Sequence, residues 1–237
     1  MNILKVLCKK IKNLRFFFMA IGISVVLSTL TSSLLMNNVT YVSVSDEETK
    51  SLMNKIRDCS VMITTPYSSG SGVVIEHRDG FSYILTARHV VEMSPSFINI
   101  HTDSLHELHP GLVVAMGEGC AQDNWACDWA VVRVAGLVGA PVGRCETPEQ
   151  FEKVYMGGYP LGITTATITR GDLMSDVGGV LRVTSNGVFG SSGGGIFVVR
   201  GGEPRLIGVA IRIYMVNRYA PIYFLMAGNS VRNVGTY

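Results

Sequence analysis

Gly190-Ser191-Ser192-Gly193-Gly194 is the run on which the reading of this chain turns. A G-x-S-G-G sequence places a serine hydroxyl in a glycine-bracketed turn, where backbone N–H groups are able to face a developing oxyanion. Alone it reads equally well as an ordinary Gly/Ser turn of a β protein. Two upstream segments change its weight. Thr86-Ala87-Arg88-His89-Val90 closes an apolar strand on a histidine, and Asp128-Trp129-Ala130-Val131-Val132 opens a buried-looking strand with an acid. A lone histidine after a strand is commonly a surface residue, and an aspartate ahead of one is commonly a turn residue. In the order His89, Asp128, Ser192 the three fit one chemistry: a base that activates a weak hydroxyl nucleophile, and a carboxylate that holds the base in one tautomer.

Around these segments the sequence alternates short apolar runs with turn residues, which predicts an all-β fold. Strands are expected at Ser60–Thr65, Gly72–His77, Ser82–Thr86, Phe97–His101, Leu112–Met116 and Trp129–Val134. Arg78-Asp79-Gly80 is a hairpin turn signal. Gly136–Gln150, with Pro141 and Pro148, reads as a connection. A second set follows at Lys153–Gly157, Thr165–Arg170, Val180–Thr184, Gly195–Val199, Leu206–Arg212 and Ile222–Leu225, with a short terminal helix over Gly228–Val234. Six strands, a connection and six strands predict two six-stranded antiparallel β-barrels, over 58–140 and 141–237.

The N-terminus has a different character. Residues 1–15 carry Lys5, Lys9, Lys10, Lys12 and Arg15 and no acid; Phe16 to Met36 is a 21-residue run without a charge. That matches the ~20 residues of a membrane-crossing helix. The charge asymmetry predicts a signal anchor over 16–36, with the N-terminus cytoplasmic and the rest on the periplasmic or extracellular side. Cleavage as a signal peptide, giving a secreted protein, is the alternative. Residues 37–57, with a helix-like stretch at Asp46–Arg57, read as a linker or stalk. A net charge of +2 gives no argument for nucleic acid. Mean hydropathy is +0.31, raised in part by the N-terminal run.

Export would permit disulfides among Cys59, Cys120, Cys127 and Cys145. A Cys120–Cys127 bridge would brace the loop leading into Asp128, and four unpaired thiols are an equal alternative. Trp125 and Trp129 are expected to shield the acid. His101, His106 and His109 have an irregular spacing that suits surface loop residues better than a metal site, and neither a metal nor a cofactor is expected.

The motifs resemble one family in order along roughly residues 58–237. Gly70-Ser71-Gly72-Val73-Val74-Ile75, Gly80, Tyr83-Ile84-Leu85-Thr86-Ala87 and His89-Val90-Val91 are similar to the G-S-G-x-x-I…G-Y-I-L-T-x-x-H-V-V block of the HtrA-type (Deg) serine proteases, which have the chymotrypsin-like fold. Asp128-Trp129-Ala130-Val131-Val132-Arg133-Val134 resembles their D-L-A-V-L-K-V. Met156-Gly157-Gly158-Tyr159-Pro160-Leu161-Gly162, Thr167-Ile168-Thr169-Arg170-Gly171 and Pro221-Ile222-Tyr223-Phe224-Leu225 fall where that family has I-G-x-P-x-G, T-V-T-x-G and G-F-A-I-P.

The resemblance implies a trypsin-like serine endopeptidase with Ser192 as nucleophile, His89 as general base and then acid, and Asp128 as orienting acid. It implies an oxyanion hole from the N–H groups of Gly190 and Ser192, with Ser191 N–H nearby. A substrate pocket would be walled by Asn186, Gly187, Val188 and Phe189 and by the strand carrying Val209, Ala210 and Ile211, suited to a small or medium apolar side chain. Protein or peptide substrates are the implied partners, with the membrane through the N-terminal helix; a homo-oligomer is compatible with the sequence. Ser191 replaces the family's usual Asn or Asp, Gly195 replaces its usual Pro, and no PDZ domain is expected. A latent or inactive binding module of the same fold, and a dedicated processing autoprotease, are the rival readings.

Overall fold

The computed structural model describes residues 46–102, 108–119, 125–145, 147–185, 190–215 and 224–234. The run 16–36 lies outside them, and among the described residues no helix is long and apolar enough to cross a membrane.

Helix α1 (Asp46–Cys59) leads into β1 (Ser60–Thr64), β2 (Ser69–Arg78), β3 (Phe81–Thr86), β4 (Ile98–His101), β5 (His109–Met116) and β6 (Ala130–Ala135). These six strands close a barrel in the order β1-β2-β3-β6-β5-β4. A second set, β7 (Lys153–Gly158), β8 (Thr167–Val177), β9 (Val180–Val183), β10 (Gly195–Arg200), β11 (Glu203–Met215) and β12 (Phe224–Ser230), closes another in the order β10-β11-β12-β9-β8-β7. Every pairing between these strands is antiparallel, so the expected pair of six-stranded barrels is what the chain forms.

Local chemistry explains the joints. Arg78 pairs with Phe81 across Asp79-Gly80, and both central residues have positive φ, 53° and 79°. That is the requirement of a two-residue hairpin loop with mirror-image geometry. The connection is not slack: Ala140 N–H donates to the Asp58 carbonyl, Val142 N–H to that of Val74, and Cys145 N–H to that of Leu206. It is therefore sewn to both barrels.

Apolar clusters in and between the barrels carry the packing. Val61, Ile63, Val74, Ile84, Val132 and Val134 fill barrel 1, joined by Ile211 and Ala227 from barrel 2. Val154, Leu173, Leu181, Ile196 and Ile207 fill barrel 2. Between them Ile56, Val73, Leu85, Val131, Phe197 and Val209 make a shared seam. Burial of such side chains contributes roughly 1.5–3 kcal/mol each, so the seam fixes the barrels against each other.

Three sequence expectations need correction. The stretch placed in a stalk is part of the fold: α1 buries Ile56 completely and packs Leu52 against the seam. Gly228–Ser230 continues β12, leaving only a 3-10 turn at Val231–Asn233, where Ser230 Oγ accepts from Arg232 N–H. β8 and β11 each run several residues beyond the apolar segments that signalled them.

Candidate active site

The histidine is placed by the end of β3. Thr86 and Ala87 are buried, and Ala87 keeps extended geometry before the single helical turn α2 (Arg88–Val91) begins. Val90 and Val91 turn inward and anchor α2, leaving His89 on its exposed side.

The acid arrives from β6. A 3-10 turn, Trp125–Cys127, precedes Asp128, whose N–H donates to the Trp125 carbonyl at 3.1 Å. That carbonyl also accepts from Asn229 Nδ2 of β12 at 3.0 Å, and the Arg212 guanidinium of β11 lies 4.9 Å from the Trp125 ring centroid. Barrel 2 thus steadies the turn that delivers a barrel 1 carboxylate. Trp129 is buried, whereas Asp128 keeps 24 % of its side chain exposed, so the expected shielding is partial.

The two meet directly. Asp128 Oδ2 lies 2.8 Å from His89 Nδ1, and Asp128 Oδ1 accepts from His89 N–H at 3.0 Å. A carboxylate facing Nδ1 keeps the ring proton there, which leaves the Nε2 lone pair free to take another.

Ser192 lies in the turn ahead of β10. Gly190 and Gly193 have φ of 91° and 83°, a region that only glycine enters without strain. Gly193 N–H donates to the Ala210 carbonyl at 2.7 Å and Gly194 N–H to that of Ser191 at 2.9 Å. Neither Gly190 N–H nor Ser192 N–H has an acceptor among the described residues. A Cβ on Gly193 would collide with the Ser71 carbonyl and Thr86 Oγ1, and one on Gly70 would lie 2.9 Å from the Ser192 carbonyl. The serine turn is therefore pressed against the start of the histidine-bearing segment. Among the described residues no hydrogen bond joins Ser192 to His89. Catalytic hydrogen bonds are often long in unliganded enzymes and tighten with substrate.

Of the expected pocket wall, Asn186, Gly187, Val188 and Phe189 lie outside the described residues. Val209, Ala210 and Ile211 are buried at 0 %, 0 % and 5 % exposure, with their side chains in the apolar clusters. The exposed side chain of that stretch is Arg212. Ser191 is buried, and Gly195 opens β10, where a side chain would strike the Phe197 ring.

Cys127 is disulfide-bonded, while Cys59 and Cys145 are free; Cys120 lies outside the described residues. Burial pushes the Cys59 thiol up to about 12. His101 sits near His109 across β4 and β5 and bonds Thr64 Oγ1; burial first, and His109 second, hold it below the usual histidine range. His106 lies outside the described residues.

Two supporting residues escaped sequence reasoning. Asn229 had no signal, because its partner is a main-chain carbonyl in the other barrel. Ser71 had one: glycines on both sides of a serine inside an apolar strand mark a place where another backbone comes close.

The profile of the trypsin-like peptidase domain matches residues 70–209. The fold is similar to that of Rv3671c protease in an inactive form, from M. tuberculosis, at 19% identity and TM-score 0.58, with 77% of this chain and 88% of that chain covered. It is also similar to the serine endoprotease from Yersinia pestis, at 18% identity and TM-score 0.63, covering 81% of this chain and 64% of that one. No curated protein matches the chain.

Proposed function

The chain belongs to the trypsin-like peptidase domain family and is a serine endopeptidase, and from that premise we propose that it cleaves proteins through an acyl-enzyme on Ser192. Ser192 Oγ attacks the scissile carbonyl carbon and passes its proton to His89 Nε2. Asp128 keeps the ring oriented and balances the imidazolium. The oxyanion accepts from Gly190 and Ser192 N–H, with Ser191 N–H nearby, each donor contributing roughly 3 kcal/mol to the transition state. His89 then protonates the leaving amine, and water repeats the sequence in reverse to release the acid product.

The observation that carries this reading is the double hydrogen bond between Asp128 and His89, to main chain and ring, in a segment pressed against the serine turn. Gly195 remains compatible with a formed turn because the Phe197 ring fills the space a side chain would need. We place the enzyme outside the cytoplasm, held by residues 16–36 as a signal anchor; the basic residues before that uncharged run support this orientation.

A fluorophosphonate probe on the full chain, beside Ser192→Ala and His89→Ala, tests the assignment. Labelling of the unmutated protein alone is the expected result; labelling of Ser192→Ala would remove Ser192 from the role. A latent enzyme is the second reading, favoured by Ser191 and Gly195 standing where the resembled family usually has Asn or Asp and Pro. It predicts a folded but unlabelled protein. For topology, a C-terminal reporter open to external protease in intact cells is expected, and a protected one would refute the anchor orientation.

A further inference from the structure

Ser71 is fully buried where the two barrels meet, and its polar atoms are engaged. Its N–H donates to the Ser192 carbonyl at 2.7 Å, and its own carbonyl accepts from Thr86 Oγ1 at 2.7 Å. Its hydroxyl donates to the Gly190 carbonyl at 2.7 Å and accepts from Tyr159 N–H at 2.8 Å. Three of these four partners belong to the barrel 2 side of the groove, and two belong to the serine turn itself.

The geometry has a directional consequence. In a trans peptide the carbonyl and the following N–H point opposite ways. Holding the Gly190 carbonyl against barrel 1 therefore holds Ser191 N–H away from it. The 190–191 peptide cannot rotate without breaking the bond that the buried Ser71 hydroxyl donates to the half-buried Gly190 carbonyl. The Gly194 N–H bond to the Ser191 carbonyl fixes the next peptide, and with it Ser192 N–H, in the same manner. Tyr159 brings in a second loop: Leu161 N would lie 2.7 Å from a Cβ on Gly190, so the Pro160–Gly162 turn abuts the same peptide.

We infer that Ser71 is a positioning residue, whose hydroxyl clamps the Gly190 carbonyl and thereby sets the turn that presents the Gly190 and Ser192 N–H groups to the oxyanion. The inference rests on the proposed use of that turn in catalysis. Ser71 touches no reacting atom; it acts through the peptide planes it holds.

The test compares full-length wild type with Ser71→Ala and Ser71→Cys, the latter keeping the size and a weak donor. Ser71→Ala is expected to reach the same final stoichiometry of fluorophosphonate labelling about tenfold to hundredfold more slowly. Its kcat on a peptide substrate is expected to fall with KM unchanged, and Ser71→Cys is expected to lie between. Amide exchange at 190–194 is expected to quicken in Ser71→Ala. Wild-type labelling rate in Ser71→Ala would overturn the inference. So would an end-point that drops in step with the folded fraction, since that marks a residue needed only for stability. If wild type itself stays unlabelled, the catalytic reading fails, and the exchange comparison alone decides the clamp: unchanged exchange at 190–194 refutes it.

Discussion

Around His89 the decisive bonds run through side chains, whereas around Ser192 they run mostly from main chain to main chain, with the Ser71 hydroxyl as the exception. The imidazole and the carboxylate find each other at 2.8 Å from two separate strand ends, and each has its own anchor, Val90 and Val91 for one and the Trp125–Cys127 turn for the other. Apart from Ser71 Oγ on the Gly190 carbonyl, the serine turn is held by main-chain groups. Gly193 and Gly194 bond to carbonyls, the Ser192 carbonyl receives Ser71 N–H, and space for a Cβ is missing at Gly193 and Gly194. The first arm is specified by residue identity and the second, Ser71 apart, by the absence of side chains. An isosteric change should therefore damage the first through chemistry, and a single added methyl should damage the second through shape.

The largest effect is expected from Asp128→Asn. It preserves volume but favours the wrong histidine tautomer, so kcat should fall roughly ten-thousand-fold with the fold intact. A loss below tenfold, with unchanged circular dichroism, would mean that the side-chain arm is not organised around this carboxylate. Next comes Gly193→Ala, set against Gly80→Ala. Both glycines have positive φ, 83° and 79°, but nothing surrounds Gly80. Gly80→Ala should cost about 1 kcal/mol in backbone strain, and Gly193→Ala about 3 kcal/mol together with loss of probe labelling. Equal costs in denaturant titration would break the contrast, because strain alone would then explain both.

Alkaline pH probes the seam between the two arms. The folded state holds the Cys59 thiol at about 12 against an ordinary 9.0, so its contribution to stability is complete below 9.0 and is lost as pH rises towards about 12. One unit into that window the expected loss is about 1.4 kcal/mol. Cys59→Ala should remove this slope in a melt series, and a slope that survives the substitution would assign it elsewhere. The smallest effect belongs to Asn229→Ala. Trp125 keeps its bond from Asp128 N–H, so the cost should be about 1 kcal/mol, with a few-fold loss of activity. A loss as large as that of Asp128→Asn would show that the side-chain arm depends on barrel 2 as strongly as the main-chain arm does on barrel 1.

The barrels were legible because their inner faces are written in valine, isoleucine and leucine with a period of two, as in Val61/Ile63 and Ile196/Val198. Strand ends were less so. Asp172–Val177 continues β8 with only Leu173 in the core among half-exposed and exposed residues, and Pro204 lies within β11, where a proline argues against a central strand. Gly228 resembled a helix start but packs in β12, where a side chain would strike Ile196. At the site, His89 and Asp128 could be found because side-chain chemistry leaves letters in the sequence. Main-chain carbonyls leave none: Asn229, which bonds that of Trp125, emerges only in three dimensions, and for Ser71 the flanking glycines mark a close approach without naming the Gly190 carbonyl it bonds.

Helix α1 carries a consequence for the order of assembly. It precedes β1 in the chain, yet Ile56 would collide with a Cβ on Gly157, and Lys55 pairs with Glu203 at 2.6 Å. Its partners in barrel 2 are synthesised about a hundred and a hundred and fifty residues after it, and contacts of such long sequence separation form late. The first barrel thus leaves the ribosome with its leading helix only partly seated, against Val73 and Leu85 but not yet against barrel 2. Full burial of that helix therefore waits for the second barrel, and the two halves share one closing step.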